Sequence, residues 1–223
     1  MISVIMSIKN NQYSLENAIE SILSQTYKNF EFLIIDDNST DNSFEMLKNY
    51  EFKDQRVKLF KNDETIGLTK SLNYLINHSK GLYLARQDGD DVSLSSRFQS
   101  QIKYLESQEY DFCTSRATNM QTNEIIPNFS YYMPKKLVIK IKNPFIHGTL
   151  MIKKEVLLAA GGYDERFFYA QDYKLFTDLV KNNIKFKYIK TPLYSLNTIN
   201  NISNNHKVEQ RYYSDCVRKK ILP

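Results

Sequence analysis

The first half of the chain alternates short apolar runs with amphipathic stretches, and this alternation limits the fold more than any other feature. The apolar runs are Ile2–Ile8, Phe30–Ile35, Val57–Phe60 and Leu82–Ala85. Their length and near-continuous hydrophobicity are typical of strands buried on both faces. Between them, apolar residues recur at helical spacing, most clearly in Leu15, Ala18, Ile19, Ile22 and Leu23 and in Leu68, Leu72, Leu75 and Ile76. The alternation predicts an α/β fold, with right-handed crossovers and a mostly parallel half-sheet that carries helices on both faces.

Beyond about residue 110 the rhythm changes. We predict short strands near Asp111–Thr114 and Ile125–Pro127, a strand over Phe145–Ile152 and an edge strand over Lys185–Ile189. Helices are predicted from Lys154 to Ala160 and from about residue 171 to 182. We interpret the first half as a nucleotide-binding type of half-sheet, and we expect the mixed region that follows to recognise another molecule. The two halves should share one core.

Composition excludes several classes of protein. The chain has 223 residues and a net charge of +5, and no apolar run approaches the roughly 18 residues of a membrane-spanning helix. Met1 to Ile8 lacks the basic region and long apolar stretch of a signal peptide. Cys113 and Cys216 lie far apart and give no disulfide framework, so we expect a cytoplasmic protein. Long basic clusters are missing, so no nucleic-acid partner is expected.

Two groups of aspartates follow strands of the predicted sheet, at the edge where open parallel sheets bind ligands. Asp36 and Asp37 follow the second strand, and Asp88, Asp90 and Asp91 follow the fourth. Three carboxylates so close together repel one another unless a cation or solvent offsets the repulsion. A hard ion such as Mg²⁺ or Mn²⁺ binds oxygen ligands of this kind. The alternative is a solvated turn that caps the next helix. Glycine-rich dinucleotide and phosphate loops are missing, which argues against NAD enzymes and the usual NTPases.

Short motifs continue this pattern along most of the chain. They are Ser3–Ser7, Ile22–Tyr27, Phe32–Asp41, Gly67–Thr69, Ala85–Asp91, Phe145–Gly148, Gly161–Asp164 and Ala170–Tyr173. Together they resemble the inverting family 2 glycosyltransferases of the GT-A fold, over residues 1 to about 196. The resemblance implies one GT-A domain over residues 1–200, with a nucleotide-sugar-binding half (1–110) and an acceptor-binding half (111–200), followed by a C-terminal tail (201–223).

The resemblance also implies roles for the aspartates of the first half. Asp37, with Asp36 beside it, would accept hydrogen bonds from the nucleotide base, and Ser7 would line the same pocket. Asp88 would lie near the ribose. The metal ligands implied are Asp90, which would bind the Mn²⁺ or Mg²⁺ that bridges the diphosphate, and Asp91, which would support it.

Asp172 matches the position of the family's catalytic base. It would deprotonate an acceptor hydroxyl, which then attacks the anomeric carbon in line and inverts it, and this role needs the two groups within about 3 Å, directly or through one water. On spacing alone, Asp172 is equally an acidic residue that the helix dipole favours. Gln171 stands where Glu is usual, which removes one charge that would hold substrate hydroxyls.

Other positions depart from the family pattern. Lys9 stands where many relatives have a Tyr that packs on the base. Tyr194–Asn197 replaces a Tyr-Arg-x-His pattern, so a basic contact to the diphosphate is missing, and Lys70 is the candidate to supply it. His147 is either a buried, hydrogen-bonded histidine or a residue of the substrate pocket. Tyr169 is either a packing residue or a platform on which a sugar ring stacks.

The predicted function is metal-dependent transfer of a sugar from a nucleotide-diphosphate sugar, with a UDP-sugar expected, to a saccharide or glycolipid hydroxyl in bacterial surface polysaccharide or lipooligosaccharide synthesis. If the acceptor is lipid-linked, the basic stretches Lys135–Lys142 and Arg218–Lys220 would contact anionic lipid at the inner membrane face; otherwise they are solvated. One alternative is a nucleotidyltransferase, which usually has a glycine-rich basic loop after its first strand. The other is a non-catalytic nucleotide- or glycan-binding module.

Overall fold

The computed structural model describes residues 1–199 and 206–223. The strands are β1 (Ile2–Ile8), β2 (Phe30–Asp36), β3 (Val57–Lys61), β4 (Tyr83–Arg86), β5 (Val92–Ser93), β6 (Phe112–Asn119), β7 (Ile125–Ile126), β8 (Met151–Lys153) and β9 (Phe186–Leu196). The α-helices are α1 (Leu15–Leu23), α2 (Ser43–Lys53), α3 (Leu68–His78), α4 (Arg97–Glu106), α5 (Lys135–Val138), α6 (Lys154–Ala159), α7 (Gln171–Lys181) and α8 (Lys207–Lys219). Short 3₁₀ helices occupy Phe129–Tyr131 and His147–Thr149.

The strands form one mixed sheet in the order β3-β2-β1-β4-β8-β6-β9-β5, with β7 beside β6. The neighbours β3, β2, β1 and β4 are parallel, as the alternation of the first half predicts. Antiparallel β8 joins this half to β6. The sheet therefore runs without interruption from the first half of the chain into the second.

Both faces of the parallel strands are covered by helices, and this explains their continuous hydrophobicity. Along β1, Ile5 belongs to one core and Val4 and Met6 to the other, because successive side chains of a strand point to opposite faces. The first core includes apolar residues of α3, α6, α7 and α8, and the second those of α1, α2 and α4. The predicted α/β class is confirmed.

The prediction of a strand over Phe145–Ile152 is wrong. Residues 147–149 form a 3₁₀ helix, and only Met151–Lys153 is a strand. Phe145 is buried because its ring packs against Phe112 and Phe176, with centroids 5.8 and 4.7 Å away. An apolar run that is buried as a loop has no periodicity that separates it from a strand.

The last strand and the last helix also differ from expectation. β9 is longer than the predicted Lys185–Ile189 and is not an edge strand, since it lies between β6 and β5. The segment predicted as a tail contains α8, whose Cys216 and Val217 are buried in the first core. Asn200–Asn205 lies outside the described residues. The C-terminal helix thus contributes to the core beside α7.

Candidate active site

The first two aspartates lie at the carboxyl ends of β1 and β2. Ser7 pairs with Ile35 in the parallel ladder, and the amide of Asp37 donates to the carbonyl of Ile8 at 2.8 Å. Asp36 is fully buried, and its Oδ2 accepts a hydrogen bond from the amide of Ser39 at 3.0 Å. Its Oδ1 has no partner in the part of the chain that the structure describes. Ser7, Asp36 and Asp37 therefore share one end of the sheet.

Asp37 holds the loop that leads into α3. Its Oδ1 accepts hydrogen bonds from Asn62 Nδ2 at 2.8 Å and from the amide of Ile66 at 2.9 Å, and its Oδ2 accepts the amide of Gly67 at 2.9 Å. Gly67 has a φ of +88°, a conformation that glycine adopts without steric cost. An ionised carboxylate has about four acceptor sites, so these three donors leave about one for a nucleotide base. Asp37 therefore shapes the loop, and its predicted contact to the base stays a prediction.

Two lysines were predicted to lie near the nucleotide. Lys9 is exposed, and its Nζ donates to Thr65 Oγ1 at 2.9 Å, so it rests on the loop that Asp37 anchors. Lys70 is exposed on the first turn of α3. Both cations therefore flank the loop that precedes α3.

The acidic turn after β4 starts with an internal ion pair. Arg86 is 1% exposed, and its Nη2 pairs with the Asp88 carboxylate. The amide of Asp88 donates to Tyr194 Oη at 3.1 Å, although the two residues are 106 positions apart. A methyl group on Gly148 would lie 2.5 Å from the same Oη, so only glycine leaves room for this tyrosine. The position of Asp88 thus depends on β9 and on the segment before β8.

Asp90 and Asp91 have different surroundings. Burial, followed by the charge of Asp88, raises the pKa of Asp90 to about 6. Apart from its own amide, Asp90 has no hydrogen-bond partner for its carboxylate among the described residues. Asp91 is 2% exposed, and its Oδ1 accepts the amide of Asn197 at 2.7 Å. Burial and then the charges of Asp88 and Asp90 raise the pKa of Asp91. Asp91 thus ties the turn to the residue after β9, and the carboxylate of Asp90 has no partner from another described residue.

Arg97, a residue that the sequence reasoning missed, supports this turn from α4. Its side chain is fully buried, and burial lowers its pKa to about 10. It donates to Ser93 Oγ at 2.8 Å and to the carbonyl of Arg86 at 2.8 Å. Gln87 Nε2 then donates to the carbonyls of Asp88 and Asp91, both at 2.9 Å. An internal cation and an amide therefore fix the backbone of the acidic turn.

Asp172 lies in the first turn of α7, two residues after a strained residue. Ala170 has left-handed backbone angles (φ 53°, ψ 25°), which are uncommon for a residue with a Cβ. Asn143 Nδ2 donates to Asp172 Oδ2 at 2.7 Å. Burial raises the pKa of Asp172, and the hydrogen bonds from the Tyr173 amide and Asn143 oppose the rise. Gln171 beside it is 9% exposed.

The two halves of the predicted site converge. The negative charge of Asp88 is felt at Asp172, where it adds to the effect of burial on the pKa. Thr69 Oγ1 in α3 donates to the carbonyl of Phe167 at 3.1 Å, and a methyl group on Gly67 would lie 2.6 Å from the ring of Phe168. The loop held by Asp37 thus contacts the segment that leads to Asp172. Asp36 and Asp37 lie at the end of β2, Asp88 follows β4, and Asp172 on α7 lies within range of the charge of Asp88.

The remaining predicted residues, His147 and Tyr169, have different surroundings. His147 Nε2 and Tyr163 Oη are hydrogen-bonded at 2.7 Å, and burial lowers the pKa of His147 to about 3, so this histidine is neutral. Tyr169 packs on α8 instead, with its ring 5.2 Å from His206 and 5.6 Å from Tyr213. The structure therefore places His147 within the polar interior of the site and Tyr169 at its α8 side.

Solved structures share this fold. S. aureus TarS 1–349 in complex with UDP-GlcNAc has a TM-score of 0.78 at 15% identity, covering 98% of this chain and 70% of that one. Mannosyltransferase PcManGT from Pyrobaculum calidifontis, in complex with GDP-Man and Mn²⁺, has a TM-score of 0.76 at 17% identity, covering 100% of this chain and 65% of that one. The fold of this chain is thus the GT-A fold.

The sequence comparisons define the family. The model of glycosyl transferase family 2 matches residues 3–159, and the chain belongs to this family. The putative glycosyltransferase EpsE of Bacillus subtilis is 35% identical over 170 residues, which are 73% of this chain and 59% of EpsE. The O-antigen biosynthesis glycosyltransferase WbnJ of Escherichia coli is 36% identical over 182 residues, 78% of this chain and 70% of WbnJ. The chain thus spans less than two thirds of EpsE.

Proposed function

We propose that the chain transfers a sugar from a nucleoside diphosphate sugar, in particular a UDP-sugar, to a hydroxyl of a saccharide or glycolipid, with inversion at the anomeric carbon. The names of relatives support this reaction and its setting in bacterial surface polysaccharide or lipooligosaccharide synthesis. WbnJ is an O-antigen biosynthesis enzyme. WfgD of Escherichia coli, 28% identical over 82% of this chain and 71% of its own, is a UDP-Glc:α-D-GlcNAc-diphosphoundecaprenol glucosyltransferase. TarS was solved with UDP-GlcNAc.

The observation that carries the proposal is the convergence of Asp172 and the acidic turn. Asn143 holds Asp172 through Oδ2, and the partial burial of this carboxylate favours proton uptake. A base with a raised pKa accepts the proton of an acceptor hydroxyl more readily, and proton transfer of this kind contributes roughly 10²–10⁴-fold to a rate. The hydroxyl then attacks the anomeric carbon from the side opposite the departing diphosphate.

The donor set of the acidic turn fits a divalent cation. Mg²⁺ and Mn²⁺ bind one or two carboxylates together with substrate phosphates, so the single available carboxylate of Asp90 is sufficient. In the described residues no group of three or more His, Cys, Asp or Glu is placed to hold a metal by itself. A cation bound there would offset the charge that develops on the departing diphosphate. Asp90 would hold it, and Arg86 and Arg97 keep the turn in place.

The proposal includes a cytoplasmic location with peripheral association at the inner membrane face. Among the described residues, no helix has the length and hydrophobicity needed to cross a bilayer. A glycolipid acceptor would bring the reaction to the membrane surface.

Asp172→Asn tests the assignment of the base. We expect nucleotide binding, measured by calorimetry with UDP and Mn²⁺, to stay within about twofold of the wild type, while transfer falls roughly 10²–10⁴-fold. Asp178→Asn on the same helix is the control, because Asp178 lies more than one turn beyond Asp172 and pairs with Lys174. Equal loss of binding and transfer in Asp172→Asn would indicate a structural role for Asp172. Unchanged transfer would exclude Asp172 as the base, and absence of transfer by the wild type would favour the non-catalytic binding module.

A further inference from the structure

A long stretch before β8 has an extreme charge distribution. Residues 125–154 contain six lysines and neither Asp nor Glu. Within it, residues 132–142 place apolar side chains in solvent: Tyr132 is 67% exposed, Leu137 58% and Ile141 69%. Lys136, Lys140 and Lys142 are exposed among them. We call residues 132–142 the basic apolar segment. Lysines interleaved with exposed apolar side chains are typical of a surface that meets both charge and hydrocarbon.

The end of α8 extends this surface. Arg218 Nη1 donates to the carbonyl of Ile141 at 3.1 Å, so the last turn of α8 lies directly against the basic apolar segment. The residues that follow bring the exposed cations Lys219 and Lys220, and Ile221 and Leu222 are 54% and 56% exposed. The basic apolar segment and the end of α8 thus form one surface, and each contributes exposed cations and exposed apolar side chains.

The surface is fixed to the candidate active site. Tyr173 Oη in α7 donates to the carbonyl of Ile139 at 2.8 Å, which attaches the segment to the helix that bears Asp172. Asn143, the residue directly after Lys142, donates to Asp172 Oδ2. An acceptor whose hydroxyl reaches Asp172 would therefore approach beside this surface.

The geometry points to an anionic bilayer as the partner of this surface. Lysine and arginine attract acidic headgroups, and moving the exposed side chains of Leu137 and Ile141 from water into the interfacial layer of the bilayer is favourable. Nucleic acid offers phosphates but no hydrocarbon for these side chains. The use of this membrane binding rests on the proposed function, because docking of the protein on the bilayer would bring a lipid-linked acceptor to Asp172. Binding itself needs neither donor nor acceptor, so it is tested separately from transfer.

The test is sedimentation of the protein with vesicles of phosphatidylcholine alone and of phosphatidylcholine mixed equally with phosphatidylglycerol. We expect binding to the mixed vesicles only, weakened by added salt because salt screens exposed charges. Leu137→Ser with Lys140→Gln should weaken the partition coefficient by at least roughly tenfold, since one lysine near an anionic surface gives roughly fivefold and the leucine adds to it.

The matched control is Phe52→Ser with Lys53→Gln on α2. This pair also removes one exposed apolar side chain and one exposed cation, since Phe52 is 93% exposed. It should change the partition coefficient less than about twofold. Far-ultraviolet circular dichroism should show both variants folded, because all four side chains lie at the surface.

Three results would overturn the inference: no binding to mixed vesicles, equal binding to neutral vesicles, or equal weakening by the control pair. Salt-sensitive binding of single-stranded DNA without vesicle binding would assign the surface to nucleic acid instead. Each of these leaves the result with Asp172→Asn unaffected. Absence of transfer by the wild-type protein, with its vesicle binding intact, would count against the proposed function and not against the membrane-binding surface.

Discussion

Arg97→Lys is the substitution that most directly tests how the acidic turn is held. The guanidinium uses three nitrogens in three directions: Nε donates to Gln101 Oε1 at 2.9 Å, Nη1 to Ser93 Oγ at 2.8 Å and Nη2 to the carbonyl of Arg86 at 2.8 Å. Its carbon Cζ also lies 5.1 Å from the ring centroid of Tyr194. Lysine keeps the positive charge and places one nitrogen where arginine places three.

The expected cost follows from the bonds that lysine loses. One ammonium group retains at best one of the three short contacts, and two charge-assisted hydrogen bonds at roughly 1.5 kcal/mol each give a loss of about 3 kcal/mol. That is a large part of the roughly 5–15 kcal/mol by which a domain is stable. Burial also lowers the pKa of a lysine, so the unfolded chain binds more protons and stability rises with pH. The deficit should therefore be larger at neutral pH than near pH 10, about the ordinary pKa of lysine.

Urea unfolding followed by far-ultraviolet circular dichroism measures this loss, and the absence of tryptophan from the chain rules out indole fluorescence. Arg166→Lys is the control, because Arg166 is 61% exposed and pairs with Asp164 at the surface. Surface pairs of this kind contribute at most about 1 kcal/mol. The reasoning would be refuted if Arg97→Lys lost no more stability than Arg166→Lys, or if its deficit grew toward high pH.

Two further changes address the chemistry. Asn143→Ala removes a hydrogen bond that opposes the rise in the pKa of Asp172, so the acid limb of the pH profile of kcat should move to higher pH. At a pH above the pKa of Asp172 in both the wild type and the variant, kcat should stay similar. An acid limb that stays in place would exclude Asp172 as the titrating group. Asp90→Asn should abolish Mn²⁺- or Mg²⁺-dependent turnover of the donor and leave the unfolding transition cooperative, whereas unchanged turnover in that variant would contradict the assignment of Asp90 to the cation.

The parallel half could be predicted from sequence because burial on both faces leaves a simple signal. Ile2–Ile8 and Phe30–Asp36 are apolar at nearly every position, since one side chain enters each core in turn. The second half gives no such signal. Phe145 is buried in a loop by aromatic neighbours, and Cys216 is buried by a helix that follows a polar stretch. In neither case does a regular spacing of apolar residues in the sequence reveal that the side chain is buried.

The candidate site divides in the same way. Its aspartates stand at strand ends and in motifs, so sequence located them. Arg86, Tyr194 and Asn143 were missed as partners, although Arg86 and Tyr194 stood within motifs that were noted. Their effect depends on contacts between residues far apart in the chain, such as the bond from the Asp88 amide to Tyr194, and a single sequence contains no information on such pairs. The same reason hid the three donors that occupy Asp37.

The two bonds that close the acidic turn have a consequence for biosynthesis. The amide of Asp88 reaches Tyr194 and the carboxylate of Asp91 reaches the amide of Asn197, and each bond joins residues 106 positions apart. A ribosome adds roughly 5–20 residues per second, so the aspartates exist for roughly 5–20 s before their partners are translated. A nascent polypeptide that ends short of Tyr194 contains every carboxylate of the turn and lacks both of the bonds that close it.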